Sequence, residues 1–236
     1  MTASPERVAV VTGGAGGIGG AICDALEAGA HRVISLDRRR RHTDDITVDL
    51  ADAEAVRGAA AEVLARHGRC DVLVHAAADL TLIELADVDL ASWRRVQAVN
   101  VEAAVLLAQA LKPALAATGT GRIVLIGSDT VWRPPSASLL AYITSKGAIV
   151  GLTRALASAL GPDGIAVTCV APGLTNTPTA REGMPAAAFD TVLDQQALPR
   201  RLVPSDVAAT VAFVITEAGA ALTGQTICVD GGLVMR

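Results

Sequence analysis

The sequence predicts an α/β domain built on a doubly wound parallel sheet. Three observations carry that prediction: strand-length apolar runs alternate with amphipathic helical stretches, the strand runs are apolar almost throughout, and a glycine cluster separates the first strand from the first helix. Alternation of this kind requires helical crossovers between parallel strands, and strands covered on both faces read as near-continuous apolar runs. Residues 8–11 form the first strand and 19–28 the first helix, punctuated by Gly29. Strands follow at 32–36 and 46–48, then a helix at 53–67 that Gly68 closes. A fourth strand at 71–75 leads to a long helix within 92–117, ended by Gly119 and Gly121. Strand 123–126, helix 141–160, strand 165–170, helix 206–215 and strand 226–229 complete the series. The predicted architecture is a Rossmann-type doubly wound sheet of about seven strands with helices on both faces, a single domain over residues 1–236. Residues 174–205 break the rhythm with only a weak helical patch at 186–198, and an insertion this long beyond a strand's carboxyl end predicts a lid.

Composition narrows the classes of function. With 51% hydrophobic and 19% charged residues, the chain is neither disordered nor a solvated coil. A net charge of −4 speaks against a nucleic-acid partner, and the run Arg38-Arg39-Arg40-Arg41 reads as a solvated loop. Cys23, Cys70, Cys169 and Cys228 are scattered without a CxxC pair, so they predict reduced core thiols and no metal site. The N-terminus has no leader pattern, and no unbroken apolar run reaches the roughly 18 residues of a membrane span. A cytoplasmic protein with no membrane partner is expected.

The glycine cluster Thr12-Gly13-Gly14-Ala15-Gly16-Gly17-Ile18-Gly19 lies between first strand and first helix. Glycines there let the backbone turn tightly and approach a pyrophosphate, which the free N–H groups of the helix N-terminus then stabilise. Asp37 closes the second strand about 20 residues further on, where a carboxylate accepts from the adenosine ribose and repels a 2′-phosphate. That favours NAD; Arg38 pulls toward NADP, because a guanidinium pairs with phosphate or stacks on adenine.

Tyr142 and Lys146 are four apart in a predicted helix and share a face. Ser128 follows the strand 123–126, and Asn100 stands within the long helix, where a short amide is a poor helix former. With these, Asp49, Pro172-Gly173, Thr223-Gly224-Gln225 and Asp230-Gly231-Gly232, the whole chain resembles the short-chain dehydrogenases/reductases. The resemblance implies a small-molecule oxidoreductase in which Tyr142 is the general acid/base for the substrate oxygen. Lys146 would lower the phenol's pKa and hold the nicotinamide ribose, Ser128 would orient the substrate oxygen, and Asn100 would position Lys146 through a water. It also implies that Gly13, Gly17, Ile18, Gly19, Asp37, Asp49, Leu50, Ala76, Ala77, Pro172, Gly173, Thr175 and Thr177 line the cofactor, Asp49 at the adenine and Thr177 at the carboxamide.

Two stretches depart from the family pattern. His75-Ala76-Ala77-Ala78 replaces Asn-Asn-Ala-Gly, and His75 is expected to be a packed structural residue. The segment from Ser128 to Tyr142 is slightly long and carries Trp132 and Pro134-Pro135. Gly68-Arg69-Cys70-Asp71, Trp93, the stretch 151–156 and Ala197-Leu198-Pro199-Arg200 look like a branch that includes NAD-dependent 1-phenylethanol and pyridoxal 4-dehydrogenases. Trp132, Leu174, Met184 and Phe189 suggest a small, neutral, partly hydrophobic or aromatic secondary alcohol, while Asp129 reads as a loop cap. Two alternatives stay open. One is an NADPH-dependent 3-oxoacyl thioester reductase that docks an acidic carrier through Arg94, Arg95, Arg200 and Arg201; the other is a non-catalytic dinucleotide sensor. The resemblance further implies a homotetramer or homodimer built through the helices at 92–117 and 141–160.

Overall fold

A computed structural model describes residues 6–235. The first five residues, on which the expectation about a leader partly rests, lie outside the described residues. Seven parallel strands form one sheet in the order β3-β2-β1-β4-β5-β6-β7. They are β1 (Arg7–Thr12), β2 (His31–Asp37), β3 (Ile46–Thr47), β4 (Val72–His75), β5 (Arg122–Ile126), β6 (Ala166–Pro172) and β7 (Thr226–Val229). The order reverses between β1 and β4, so the crevice outside their carboxyl ends is the switch point where such sheets bind ligands.

Two apolar layers hold the sheet. On one face α2 (Ala53–His67), α4 (Ala103–Ala117) and α5 (Leu140–Leu160) pack on Val10, Ile34, Leu73, Ile123 and Leu125. On the other, α1 (Gly17–Ala28) and α8 (Pro204–Val214) cover Val11, Val74, Val124 and Val170. Cys23, Cys70 and Cys169 are buried and all four cysteines are free thiols; burial pushes Cys23 and Cys70 up to about 12, well away from thiolate chemistry.

Local chemistry explains where the elements begin and end. Asp52 caps α2 by accepting from Glu54 and Ala55 N–H, and Gly68 closes it in the left-handed region at φ 68°. The predicted long helix is two helices: α3 (Leu90–Gln97), capped by Asp89 through Ser92 N–H, and α4. A π-helical turn, Ala98–Glu102, joins them and carries Asn100. The continuous rod Leu90–Ala117 is long and apolar enough to cross a membrane by length and composition alone. Here its stripe of Leu107, Leu111 and Leu115 is spent on the sheet.

Beyond β6 the segment 174–205 contains α6 (Pro178–Gly183), which periodicity did not reveal because it is six residues long and starts on a proline. Thr177 caps it by accepting from Ala180 N–H at 3.1 Å. The predicted patch at 186–198 is α7 (Ala186–Gln195), shorter than expected because Gln196 turns to extended backbone. Gln196 is buried: its Nε2 donates to the Asp230 carbonyl and its Oε1 accepts from Arg200 N–H, which ties the end of α7 to the end of β7.

Candidate active site

The glycine turn is built for close approach. Gly13 has φ +71°, and a Cβ there would lie 2.7 Å from Ala77 Cα. A Cβ on Gly19 would meet the Gly13 carbonyl oxygen at 2.1 Å, so α1 presses its first turn onto the loop. That first turn has no side-chain cap and no acidic residue, which leaves its N–H groups and the positive end of the helix dipole for an anion. Asp37 closes β2 beside this loop and accepts from Ala15 N–H at 3.1 Å and Arg39 N–H at 3.1 Å. The cradle, the uncapped helix end and this carboxylate fit a dinucleotide.

The structure distributes the other expected cofactor residues around the same edge. Ala76 and Ala77 N–H both donate to Thr12 Oγ1 at 3.1 Å, which folds the β4 loop against the glycine turn. Thr177 lies against Gly17, where an added Cβ would be 2.8 Å from Thr177 Cβ. Pro172 ends β6 and Gly173 follows it, while Thr175 is buried and donates to the Gly173 carbonyl. Leu50 belongs to the core, and Asp49 holds Ala51 N–H and receives Arg95 at 3.3 Å. The Ala51 N–H bond, then Arg95, hold the Asp49 carboxyl below its usual range. Arg95 also reaches Asp79 at 3.5 Å, so it bridges two loops at the carboxyl edge, a role hidden in sequence because its partners are 46 and 16 positions away.

The arginine run is not uniformly solvated, contrary to the sequence reading. Arg41 is largely buried and pairs with Asp24 and Glu27 on α1; Arg39 donates to the Ala15 carbonyl and Arg40 to Thr47 Oγ1. Those contacts fold the loop after β2 back onto the glycine turn. Arg38 is exposed beside Asp37.

Ser128 lies two residues beyond β5, and Tyr142 and Lys146 lie on the first turns of α5. Lys146 is 1% exposed, donates from Nζ to the Ile126 carbonyl at 2.7 Å, and sits 5.5 Å from the centroid of the Tyr142 ring. Its alkyl stem is sealed in the core, and burial pushes its ammonium down to about 8. Burial also pushes the Tyr142 phenol up to about 12; a hydrogen bond with Ser128 opposes the rise and the charge of Asp129 adds to it. Ser128 Oγ accepts from Thr130 N–H at 3.3 Å and from Thr130 Oγ1 at 2.9 Å, which leaves its own proton to donate.

Asn100 is fully buried, and its amide is committed. Oδ1 accepts from Asp79 N–H at 2.6 Å, while Nδ2 donates to the Asp79 carbonyl and to Ser145 Oγ at 2.9 Å. Ser145 Oγ in turn donates to the Tyr142 carbonyl at 2.6 Å. Asn100 therefore braces the first turn of α5, and Ser145 is the link that sequence reasoning missed; its only signal was its place beside Lys146.

His75 is structural, as expected, and its tautomer follows from counting protons. Thr12 Oγ1 already accepts from Ala76 and Ala77, so its hydrogen goes to His75 Nδ1 at 3.0 Å, and the imidazole carries its proton on Nε2. Burial, then the charge of Lys146, push the ring down to about 3, so it stays neutral.

Of the expected substrate residues, Trp132 packs partly buried against the core and Met184 is 37% exposed. Leu174 and Phe189 line one crevice of only about 10 Å³ within the segment 174–205. Phe189 is 8% exposed, so most of its ring is buried there.

Fold and cluster together define a class, the oxidoreductases that work with a nicotinamide dinucleotide. Residues 14–234 match a family model described as enoyl-(acyl carrier protein) reductase. The chain is 37% identical over 240 residues to galactitol 2-dehydrogenase (L-tagatose-forming) of Cereibacter sphaeroides, covering 95% of this chain and 93% of that protein. The TT0495 protein of Thermus thermophilus superposes with a TM-score of 0.91 at 33% identity, over 97% of this chain and 98% of that one. A short-chain dehydrogenase of Burkholderia cenocepacia in complex with NADP superposes with a TM-score of 0.88 at 34% identity, over 97% of each chain. The chain belongs to the short-chain dehydrogenase/reductase family and is an NAD(P)-dependent oxidoreductase acting on CH–OH groups.

Proposed function

We propose that this enzyme interconverts a small neutral secondary alcohol and its ketone, with NAD as the preferred cofactor. The observation that carries the reading is the meeting of Ser128, Tyr142 and Lys146 beside the carboxyl end of β5. When bound, the nicotinamide supplies or accepts the hydride. The chain's own residues handle the proton. In ketone reduction the phenol, held protonated by its surroundings, gives its proton to the carbonyl oxygen that Ser128 polarises with its free O–H. In alcohol oxidation Tyr142 acts from its phenolate form, which the Lys146 cation beside it favours, and becomes phenol as it takes the hydroxyl proton. Asn100 keeps the first turn of α5 in register through Ser145.

Gly13, Gly17, Ile18 and Gly19 would hold the pyrophosphate, and Asp37 the adenosine ribose. Asp49 would lie at the adenine; Pro172, Gly173, Thr175 and Thr177 would border the nicotinamide. Asp37 supports NAD over NADP, because its carboxylate at the end of β2 repels a 2′-phosphate, while the exposed Arg38 beside it is the one residue that pulls the other way. Replacing Asp37 with Ala is expected to lower kcat/KM for NAD by about tenfold, the worth of one charge-assisted hydrogen bond, and to lower it less for NADP. Steady-state kinetics with both cofactors check this; an unchanged ratio would remove the assignment.

The galactitol relative supports a polyol as the alcohol, and the buried carboxyl of Asp129 beside Ser128 adds polar character to that end of the site. The likeness to 1-phenylethanol and pyridoxal dehydrogenases, with Trp132 and Met184, supports an aryl carbinol. Polyols are favoured here, since Leu174 and Phe189 are spent inside the lid. Nicotinamide absorbance followed across sugar alcohols and aryl alcohols is expected to show turnover of the former first; reduction of a 3-oxoacyl thioester alone would overturn the whole reading. The carrier-docking surface that such a thioester reductase needs is largely neutralised, with Arg95 on Asp49 and Asp79, Arg200 on Asp206 and Arg201 on Asp190. A homotetramer or homodimer through α4 and α5 and a cytoplasmic location complete the proposal; sedimentation of the purified protein tests the assembly.

A further inference from the structure

We infer that Asp129 is a positioning residue whose state of charge decides where the Ser128 hydroxyl points; the inference rests on the reading of Ser128 as donor to the substrate oxygen. Ser128 Oγ has both lone-pair directions taken by Thr130, so its single proton is the one adjustable element at the centre. Two acceptors compete for it. One is the oxygen of Tyr142 or of the substrate, and the other is the Asp129 carboxyl.

Asp129, read from the sequence as a loop cap, is a buried carboxyl. It is 5% exposed, and Oδ2 lies 3.1 Å from where a Cβ on Gly173 would be. Asp230, 3% exposed, converges on the same glycine from the end of β7, its Cβ 2.9 Å from that point. Asp230 has a backbone donor on each oxygen, Gly232 N–H at 2.9 Å and Val234 N–H at 2.9 Å. Of these two buried carboxyls converging on one glycine, Asp129 is the one its surroundings push toward the protonated form. Burial and the charge of Asp230 push it up to about 7, against smaller opposing effects of Thr130 N–H, the Ser128 hydroxyl and Arg133. Tyr142 on α5 feels the Asp129 charge in return.

The consequence is a proton-controlled switch of one hydrogen bond. With Asp129 protonated, Ser128 donates to Tyr142 or to the substrate oxygen. Once Asp129 loses its proton to solvent, its carboxylate is the stronger acceptor and draws the Ser128 O–H away. Ketone reduction should then fall on the alkaline side of neutrality, before the phenol itself ionises. Asp129→Asn keeps a neutral carbonyl acceptor in place and cannot ionise.

Tyr142 is the single tyrosine of the chain, so phenolate absorbance reads the centre without any substrate. Spectrophotometric pH titration of the full-length protein is expected to show the Asp129→Asn phenolate forming about one pH unit or more below the wild-type value. In turnover, the normalised kcat/KM profile for reduction is expected to lose its fall near pH 7 in the same variant. Equal phenolate midpoints in the two proteins would overturn the inference, as would an identical alkaline fall. Should Asp129→Asn fold poorly, Asp129→Ser serves as the second non-ionising variant for both measurements. A protein that turns over no alcohol but shows the shifted phenolate refutes the proposed reaction and leaves this coupling standing.

Discussion

Replacing Tyr142 with Phe is expected to cut turnover by roughly 10²–10⁴-fold while dinucleotide binding persists. The ring stays packed on α5 and Lys146 keeps its bond to the Ile126 carbonyl, so the scaffold loses one oxygen and nothing else. In the proposed reaction that oxygen exchanges a proton with the substrate, and Ser128 cannot replace it. A serine hydroxyl polarises a carbonyl but does not take up a net proton near neutral pH. Fluorescence titration with the reduced cofactor, set beside single-turnover rates, separates the two effects. A sensor on the same fold would tolerate the change, so retained turnover within about threefold of wild type would return the protein to that class.

Replacing Gly13 with Ala is expected to be among the most damaging single-methyl changes in the dinucleotide half of the molecule. The residue sits at φ +71°, which costs a side chain about 1–2 kcal/mol, and its Cβ would lie 2.7 Å from Ala77 Cα. The obstructing atom is backbone at the end of β4, tied down by Thr12 through Ala76 and Ala77, so it cannot step aside as a flexible side chain would. Overpacking adds about 1–3 kcal/mol. For a chain of this size the sum predicts a fall in Tm of roughly 5–15 °C. The affinity for the dinucleotide should fall with it, because the turn and the first helical N–H groups move together. Calorimetry and a binding isotherm read the two losses; a variant with an unchanged Tm would show that the loop yields.

Much of the fold was legible because the strands announce themselves. Val8 to Val11 and Ile123 to Ile126 are apolar on both sides, and only a doubly covered parallel strand uses such runs. The glycine turn was legible for a related reason, since few local structures need so many residues without a Cβ between a strand and a helix. Boundaries followed capping chemistry: Asp52 starts α2 at the expected residue, whereas Asp89 starts α3 at Leu90, ahead of the expected 92. The six-residue helix α6 and the π-turn at Asn100 escaped, because one is too short to show a period and the other keeps the helical pattern while changing its hydrogen bonds.

The sequence by itself determined the layered α/β sheet and the dinucleotide turn, and it singled out Ser128, Tyr142, Lys146 and Asn100 as candidates. Each of these is written in local pattern or in the order of motifs. Only the tertiary structure decided what surrounds them: that Asn100 braces α5 through Ser145, that Phe189 is buried beside Leu174, and that Asp129 and Asp230 meet at Gly173. The reason is distance along the chain. Hydrophobic period and capping act over a few residues, whereas the charge that adds to burial in pushing the Asp129 carboxyl up comes from Asp230, about a hundred positions away, brought close by parallel strands that end at one edge.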